Sequence, residues 1–148
     1  MQDFKKLRVW QKSHDLTLKI YRETVGFPDT ERFGLVKQLR KSVVSIESNL
    51  AEGSSRRGDL EFRRFLYMAM GSASEAECQL LISRDLGYMA PAVCQRLTSG
   101  IEEIRRMLWT LIERVSVTVD RIVSRLDAVD RLSGADSRKQ EAGSWKRS

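Results

Sequence analysis

The sequence predicts an all-α protein, an antiparallel up-down four-helix bundle, on three observations. Only two prolines and nine glycines occur among 148 residues. Charged residues make up 31% of the chain and hydrophobic residues 41%, a mixture typical of long amphipathic helices. Apolar residues recur at spacings of three and four over four separate segments, as on a helix face. A chain of this length can bury a core as one domain without disulfides.

The first helix is predicted from about Lys6 to Val25, and it ends there because Gly26 and Pro28 follow. His14, the only histidine of the sequence, lies in this helix and is expected to be a hydrogen-bonded core or interface residue. The residues predicted to share the apolar face are Leu7, Trp10, His14, Leu18, Tyr21 and Val25.

The second helix is predicted from about Thr30 to Ser54, with Asp29 or Thr30 as its N-cap. The polar stretch that runs from Gly53 to Gly58 forms the turn that follows. The predicted buried stripe consists of Val36, Leu39, Val43, Ile46 and Leu50.

The third helix is predicted to begin at its N-cap, Asp59, and to run to about Leu86. Gly87 suits the C-terminal cap because glycine adopts a left-handed conformation without strain. The predicted buried stripe consists of Phe62, Leu66, Ala69, Ala73, Ala76 and Leu80.

The fourth helix is predicted to begin near Pro91, a residue favoured at the first helical position, and to reach Leu132. Ser133 and Gly134 are expected to end it. The sequence therefore divides into a bundle, residues 1–132, and a polar disordered tail, residues 133–148. Along the helix the apolar positions shift by one residue after Val115. They are Leu97, Ile101, Ile104, Leu108, Leu111 and Val115, then Val119, Ile122, Leu126 and Val129.

The second to fourth helices carry more packable surface than one bundle requires. Small and polar residues lie beside the apolar stripes, and Trp109 widens the apolar face of the fourth helix. We expect these second faces to pack against other copies of the chain. A monomer with a slightly polar core is the alternative. The predicted interface residues are Ser42, Ser45, Asn49, Gly71, Glu75 and Trp109.

The segment at the N-terminus and the cysteines favour a cytoplasmic protein. No apolar run approaches the roughly 20 residues that span a bilayer, and the first ten residues lack the apolar region of a secretory signal. Cys78 and Cys94 flank the predicted turn near Met89 at unequal distances, about 9 Å apart along the helix axis. A disulfide requires Cα atoms within about 7 Å, so we expect two reduced thiols.

Basic residues are concentrated around the second helix and the turn after it. The net charge of +6 suits a polyanionic partner. No base-reading motif is present, so we expect contacts to phosphates rather than to specific bases. A solvated face with surface ion pairs is the alternative. The candidate nucleic-acid-binding residues are Lys37, Arg40, Lys41, Arg56, Arg57, Arg63 and Arg64.

No pattern in the sequence indicates catalysis, a metal or another cofactor. A di-iron bundle requires Glu-x-x-His pairs, but the one histidine has no acid three residues before it. Nothing places that histidine near a cysteine nucleophile. A carboxylate pair for magnesium is conceivable, but surface charges explain the acids more simply. The acids in question are Glu47, Glu52, Glu75 and Glu77.

Several separate motifs in order resemble one bacterial family. They are the segments 4–12 (FKKLRVWQK), 27–35 (FPDTERFGL), 38–41 (QLRK), 45–53 (SIESNLAEG), 61–66 (EFRRFL), 71–72 (GS, followed by Glu75) and 103–108 (EIRRML). Together they resemble the four-helix-bundle proteins encoded in intervening sequences of 23S rRNA genes, over roughly Phe4 to Ile112. The accessory proteins of diversity-generating retroelements are similar. Position 47, often proline in this family, is glutamate here.

The resemblance implies a barrel-shaped homopentamer of up-down bundles. It also implies nucleic acid and a reverse transcriptase as possible partners, because the retroelement proteins bind both. Our leading hypothesis is therefore a non-enzymatic oligomeric accessory protein that binds RNA or DNA through a basic surface. A protein–protein scaffold without nucleic-acid binding is the alternative.

Overall fold

Four α-helices account for most of the residues that the structure describes. The computed structural model describes the backbone of residues 2–144 and the side chains of residues 2–134. The helices are α1 (Arg8–Thr24), α2 (Leu35–Ser55), α3 (Asp59–Asp85) and α4 (Pro91–Ser144). Short 3₁₀ turns at Phe4–Lys6 and Asp29–Glu31 precede α1 and α2. Within residues 2–144 there is no strand, which confirms the predicted all-α class and the four helices.

The core lies between the apolar stripes of α2, α3 and α4, as the periodicity predicts. Every predicted stripe residue of α2 and α3 is buried. Three alanines, Ala69, Ala73 and Ala76, let α3 approach its neighbours closely, while α4 contributes larger residues such as Ile101 and Leu108. In the described part of the chain no helix is long and apolar enough to cross a membrane.

The buried face of α1 differs from the prediction. Leu18, Tyr21 and Val25 are exposed, and the buried positions include Ser13 and Thr17. The polar residues are tolerated in the core because each hydroxyl donates a hydrogen bond to the carbonyl four residues earlier, at 2.7 and 3.0 Å. The buried residues of α1 are Val9, Ser13, Leu16, Thr17, Ile20 and Thr24.

The turns around α2 and α3 fix how these helices begin. α2 begins at Leu35 rather than Thr30, and the Leu35 amide donates to the Glu31 carboxylate at 2.9 Å. Gly58, with φ of 87°, is the N-cap of α3, so the predicted cap Asp59 is the first helical residue instead. Gly87 follows α3 with φ of 76°, which agrees with its predicted role at the C-terminal end.

The fourth helix is longer than predicted. It continues past Leu132, through Ser133 and Gly134, to Ser144. One glycine in a helix costs only about 1 kcal/mol, and the next residues contain alanine, arginine, lysine, glutamine and glutamate, which favour helix. The predicted disordered tail, residues 133–148, is therefore helical in backbone as far as residue 144. Residues 145–148 lie outside the described part of the chain.

Candidate nucleic-acid interface

The seven predicted basic residues form two clusters at opposite ends of α2. Lys37, Arg40 and Lys41 lie in its first two turns. The other four, which we call the turn cluster, surround the connection between α2 and α3. At a rise of 1.5 Å per residue, Lys37 and Arg56 lie about 28 Å apart along the axis of α2. The seven residues are therefore not one continuous patch on one subunit. The turn cluster consists of Arg56, Arg57, Arg63 and Arg64.

Carboxylates neutralise half of the turn cluster. Arg56 pairs with Glu52 at 2.8 Å, and Arg64 pairs with Glu61 at 3.3 Å. Both guanidinium groups also lie over the Phe65 ring, at 5.3 and 4.9 Å from its centroid. Arg63 donates a long hydrogen bond to the Ser116 hydroxyl. These arginines have partners within the chain, which weakens their case as phosphate ligands.

The cluster at the start of α2 lines an open groove of about 480 Å³. We call it the α2 groove. Aromatic rings and cations alternate along it: the Arg40 guanidinium carbon lies 4.4 Å from the Tyr21 ring centroid, and that of Arg32 lies 5.6 Å from the Phe33 ring centroid. The residues of the α2 groove are Tyr21, Arg32, Phe33, Val36, Lys37, Arg40, Lys41 and Val44.

Arg40 is held in place by the end of α1. Its Nε donates to Thr24 Oγ1 at 2.9 Å, and Nη2 donates to the Tyr21 carbonyl at 3.2 Å. Arg40 therefore positions the Tyr21 ring as well as supplying charge. Within the described residues, no carboxylate forms an ion pair with Arg32, Lys37, Arg40 or Lys41. The groove thus carries uncompensated positive charge.

The sequence did not predict the two aromatic residues of this groove, Tyr21 and Phe33, or the cation Arg32. Phe33 is 81% exposed, an uncommon state for a phenylalanine, and it adjoins Arg32 in the loop before α2. The Arg-Phe pair in a loop, close in sequence to Lys37, was the available signal. Tyr21 was missed because it was assigned to the buried face of α1.

Three of the predicted interface residues make hydrogen bonds within the chain. The Ser42 hydroxyl donates to Gln79 Oε1 at 2.9 Å, and the Ser45 and Ser72 hydroxyls lie 2.9 Å apart. The Asn49 amide donates to the Ser45 carbonyl at 2.9 Å. Ser42 and Ser45 thus join α2 to α3, whereas Asn49 bonds within α2, and whether these residues also contact another copy of the chain stays a prediction.

The other three predicted interface residues lie on the outside. Gly71 and Glu75 are exposed on α3. Trp109 is 48% exposed on α4 and lines a second groove, of about 670 Å³, between the two helices. The remaining residues of this groove, which we call the Trp109 groove, are Met70, Ser74, Glu102, Arg105, Arg106 and Thr110.

His14 has the hydrogen-bonded role that its position predicts. Its Nδ1 lies 3.1 Å from Glu47 Oε2, and its ring stacks on Trp10 with centroids 4.9 Å apart. The pair joins α1 to α2. α2 continues without a break through Glu47.

The acids considered for catalysis do not gather in one place. Glu47 contacts His14, Glu52 pairs with Arg56, and Glu77 pairs with Arg105 at 2.7 Å. Glu75 accepts a hydrogen bond from Gln79 within α3. In the described residues, no group of three or more His, Cys, Asp or Glu side chains is arranged to hold a metal ion.

Both cysteines are free, as their spacing predicts. Cys78 is exposed on α3, and Cys94 is buried in α4, where its thiol donates to the Leu80 carbonyl at 3.5 Å. Burial raises the pKa of the Cys94 thiol above its ordinary value. Neither thiol has a histidine beside it among the described contacts.

The sequence of residues 5–110 matches the model of one protein family, described as 23S rRNA-intervening sequence protein. The chain belongs to this family. The matched region contains both grooves, and it ends before the second half of α4. Among curated proteins, none matches the sequence.

A solved structure of similar fold comes from Bacteroides thetaiotaomicron VPI-5482. It is described as a protein of unknown function from the S23 ribosomal protein family, determined at 1.70 Å resolution. The two chains superpose with a TM-score of 0.66 and share 23% sequence identity. The match covers 71% of the present chain and 95% of the other. At this identity, the likeness supports the bundle fold of the 23S rRNA-intervening sequence protein family and nothing about its ligands.

Proposed function

We propose that this 23S rRNA-intervening sequence protein is a non-enzymatic, oligomeric accessory protein that binds single-stranded nucleic acid through the α2 groove. The observation that carries the proposal is the combination of two exposed aromatic rings with four cations that form no ion pair with any carboxylate of residues 2–134. Cations hold the phosphate backbone, and exposed rings stack on bases that a single strand leaves accessible. Duplex DNA or RNA offers no such unstacked faces.

The geometry of the groove favours stacking on Phe33 over stacking on Tyr21. Arg40 covers one face of the Tyr21 ring and is tied to Thr24. Phe33 lies in the loop before α2 and is largely exposed, so a base can approach its ring directly. Lys37 and Lys41 lie one turn apart on α2, which suits contacts to successive phosphates.

Filter binding of labelled oligo-dT and oligo-U tests the contribution of charge. For single strands, log affinity falls with log salt at a slope of about −0.7 per phosphate contact. The double variant Lys37→Gln, Lys41→Gln removes two contacts, so we expect its slope to become shallower by about 1.4. The matched variant Arg56→Gln, Arg64→Gln removes two charges from the turn cluster. An equal change in the salt slope of both double variants would contradict the assignment of binding to the α2 groove.

Phe33→Ala tests stacking without changing charge. Base–aromatic stacking is worth about 1–3 kcal/mol per base, so we expect at least a several-fold loss of affinity for oligo-dT at unchanged salt slope. Val25→Ala removes a comparably exposed apolar side chain nearby and is expected to bind as the parent does. An unchanged affinity in Phe33→Ala would mean that the groove binds phosphates alone.

A scaffold without nucleic-acid binding is the second candidate, and the exposed Trp109 groove favours it. In that case, the parent protein would retain neither oligonucleotide at low salt. The partner we propose for this role is a reverse transcriptase, on the resemblance of the sequence motifs to retroelement accessory proteins alone. Free cysteines and the absence of a spanning helix in the described residues support a cytoplasmic setting for either role.

A further inference from the structure

The second half of α4 extends beyond the bundle with an unpartnered apolar face. On the same face, Val115 and Val119 are buried, whereas Ile122, Leu126 and Val129 are 51%, 59% and 60% exposed. The bundle ends near Val115, because the turn between α2 and α3 packs there around Gly58 and Asp59. From Val119 to Ser144 the helix continues for about 37 Å.

The apolar positions of this segment follow a heptad repeat. Val119 and Leu126 occupy a positions, and Ile122 and Val129 occupy d positions, with spacings of three, four and three. Buried Ile112 and Val115 occupy the preceding a and d positions, so this heptad seam begins within the last turns of the bundle core. A strict heptad seam is the pattern by which helices wind around one another.

We propose that the exposed part of this segment, Ile122–Leu132, forms a parallel, in-register coiled coil with the same segment of further copies of the chain. The flanking charges decide the direction. Arg125 occupies a g position and Asp130 the e position five residues later. In a parallel pair g faces the next e of the partner, so each Arg125 meets an Asp130 of the other copy.

An antiparallel arrangement makes no such pair. There, e positions face e positions and g positions face g positions. The e residues are Ser116, Val123 and Asp130, and the g residues are Thr118, Arg125 and Leu132. No alignment then brings opposite charges together. Leucine at an a position with isoleucine at d also favours three or more strands over two.

The proposal does not depend on nucleic-acid binding, and the segment lies beyond residue 110, where the family match ends. It is a property of this chain rather than of the shared bundle. Self-association through α4 would bring several α2 grooves together, which raises the effective affinity for one long strand.

Cysteine cross-linking of the full chain tests direction and register. In a Cys78→Ser background, Leu126→Cys places a thiol at an a position, where parallel in-register helices bring identical residues together. We expect mild oxidation to convert this variant mostly to disulfide-linked pairs on a non-reducing gel. Ser124→Cys, at the outward f position, is the control and is expected to remain unlinked. Equal linking of both variants, or linking of neither, would overturn the proposal.

Charge reversal tests the pairing itself at low salt. Arg125→Asp in the Leu126→Cys background makes the facing residues both acidic, so we expect most of the cross-linking to be lost. Adding Asp130→Arg restores opposite charges and is expected to restore cross-linking. Circular dichroism confirms that each variant keeps its helix content. A single reversal that leaves cross-linking intact, or a double reversal that does not rescue it, contradicts the parallel pairing.

Discussion

Gly53 lies where α2 and α3 come into close contact, and it illustrates how one residue fixes the packing of two helices. A Cβ atom at Gly53 would lie 2.7 Å from Phe65 Cβ and 3.2 Å from Phe62 Cδ2. The Phe65 Cβ cannot move without its backbone. We therefore expect Gly53→Ala to lower the free energy of unfolding by about 1–3 kcal/mol, measured by urea denaturation.

Gly100, in the third turn of α4, supplies the comparison. A Cβ there would lie 3.5 Å from Leu16 Cδ1, an ordinary contact. Gly100→Ala is expected to raise the free energy of unfolding by up to about 1 kcal/mol, because alanine favours helix more than glycine does. If Gly53→Ala stabilised the protein in the same way, the close approach of α2 to α3 would be wrong.

The two thiols should react very differently. Cys78 is exposed, whereas Cys94 is buried and burial raises its pKa, so less of it is thiolate at any given pH. We expect iodoacetamide at pH about 8 to modify Cys78 alone in the native protein, as read by peptide mass spectrometry. Both thiols should react in denaturant. Rapid native modification of Cys94 would show that the α3–α4 contact opens readily.

At the level of single residues, the sequence predicted apolar burial better than polar burial. The predicted buried stripes of α2 and α3 are confirmed, because every residue in them is apolar and buried. The face of α1 was wrong because Ser13, Thr17 and Thr24 are buried, with hydroxyls bonded to the preceding turn. A hydrophobic periodicity treats such residues as exposed. The predicted buried face of α1 was therefore displaced around the helix axis, and it wrongly included Tyr21.

Among the helices, the pair α2 and α3 carries a polar seam that the sequence assigned to an oligomer interface. Ser42 donates to Gln79 Oε1 and is buried, whereas Ser48 is exposed on the same helix. We expect Ser42→Ala to lower the free energy of unfolding by about 1–3 kcal/mol, because the Gln79 acceptor loses a buried donor.

Ser48→Ala makes the same chemical change on the outside of α2, and little change in urea stability is expected from it. The size of the assembly should also be unaffected by Ser42→Ala. A variant that unfolds normally but fails to assemble would return Ser42 to the interface and contradict its role between α2 and α3.

The existence of the four helices could be read from the sequence, but not all of their ends. Gly87 marked the end of α3 because a left-handed turn requires glycine there. Gly134 did not mark the end of α4, since glycine in the middle of a helix costs little and no proline follows. α2 begins later than predicted because Asp29–Glu31 forms a separate 3₁₀ turn. The Glu31 carboxylate of this turn accepts a hydrogen bond from the backbone amide of Leu35, the first residue of α2.

For the whole molecule, the distribution of charge matters more than its sum. The net charge of +6 includes arginines that carboxylates neutralise, such as Arg56. It also includes cations, such as Lys37 and Lys41, that no carboxylate pairs with among the side chains that the structure describes. The sequence analysis placed both kinds of cation in one candidate set, because residue spacing does not show which carboxylates lie close enough to form ion pairs in the folded chain. The structure therefore restricts the candidate site to the N-terminal end of α2. The aromatic residues of the site could be identified only from the structure.

The Trp109 groove connects assembly to the proposed function. Trp109 is half exposed beside Met70, and the neighbouring Arg105 is already paired with Glu77. A large aromatic residue in such a setting is typical of an interface between proteins. We expect Trp109→Lys to reduce the assembly to a smaller species by multi-angle light scattering at micromolar concentration. Glu113→Lys, one turn further along α4 and exposed, adds the same lysine outside the groove and should leave the size unchanged.

Loss of assembly should then weaken nucleic-acid binding although the α2 groove is intact. Linked weak sites gain about 10²–10⁴ in apparent affinity when one strand spans several of them. Trp109→Lys is therefore expected to bind long oligo-dT much more weakly than the parent, whereas a strand too short to reach two grooves should bind both proteins alike. If the smaller species retained the parent's affinity for the long strand, each subunit would act alone, and assembly would serve another purpose.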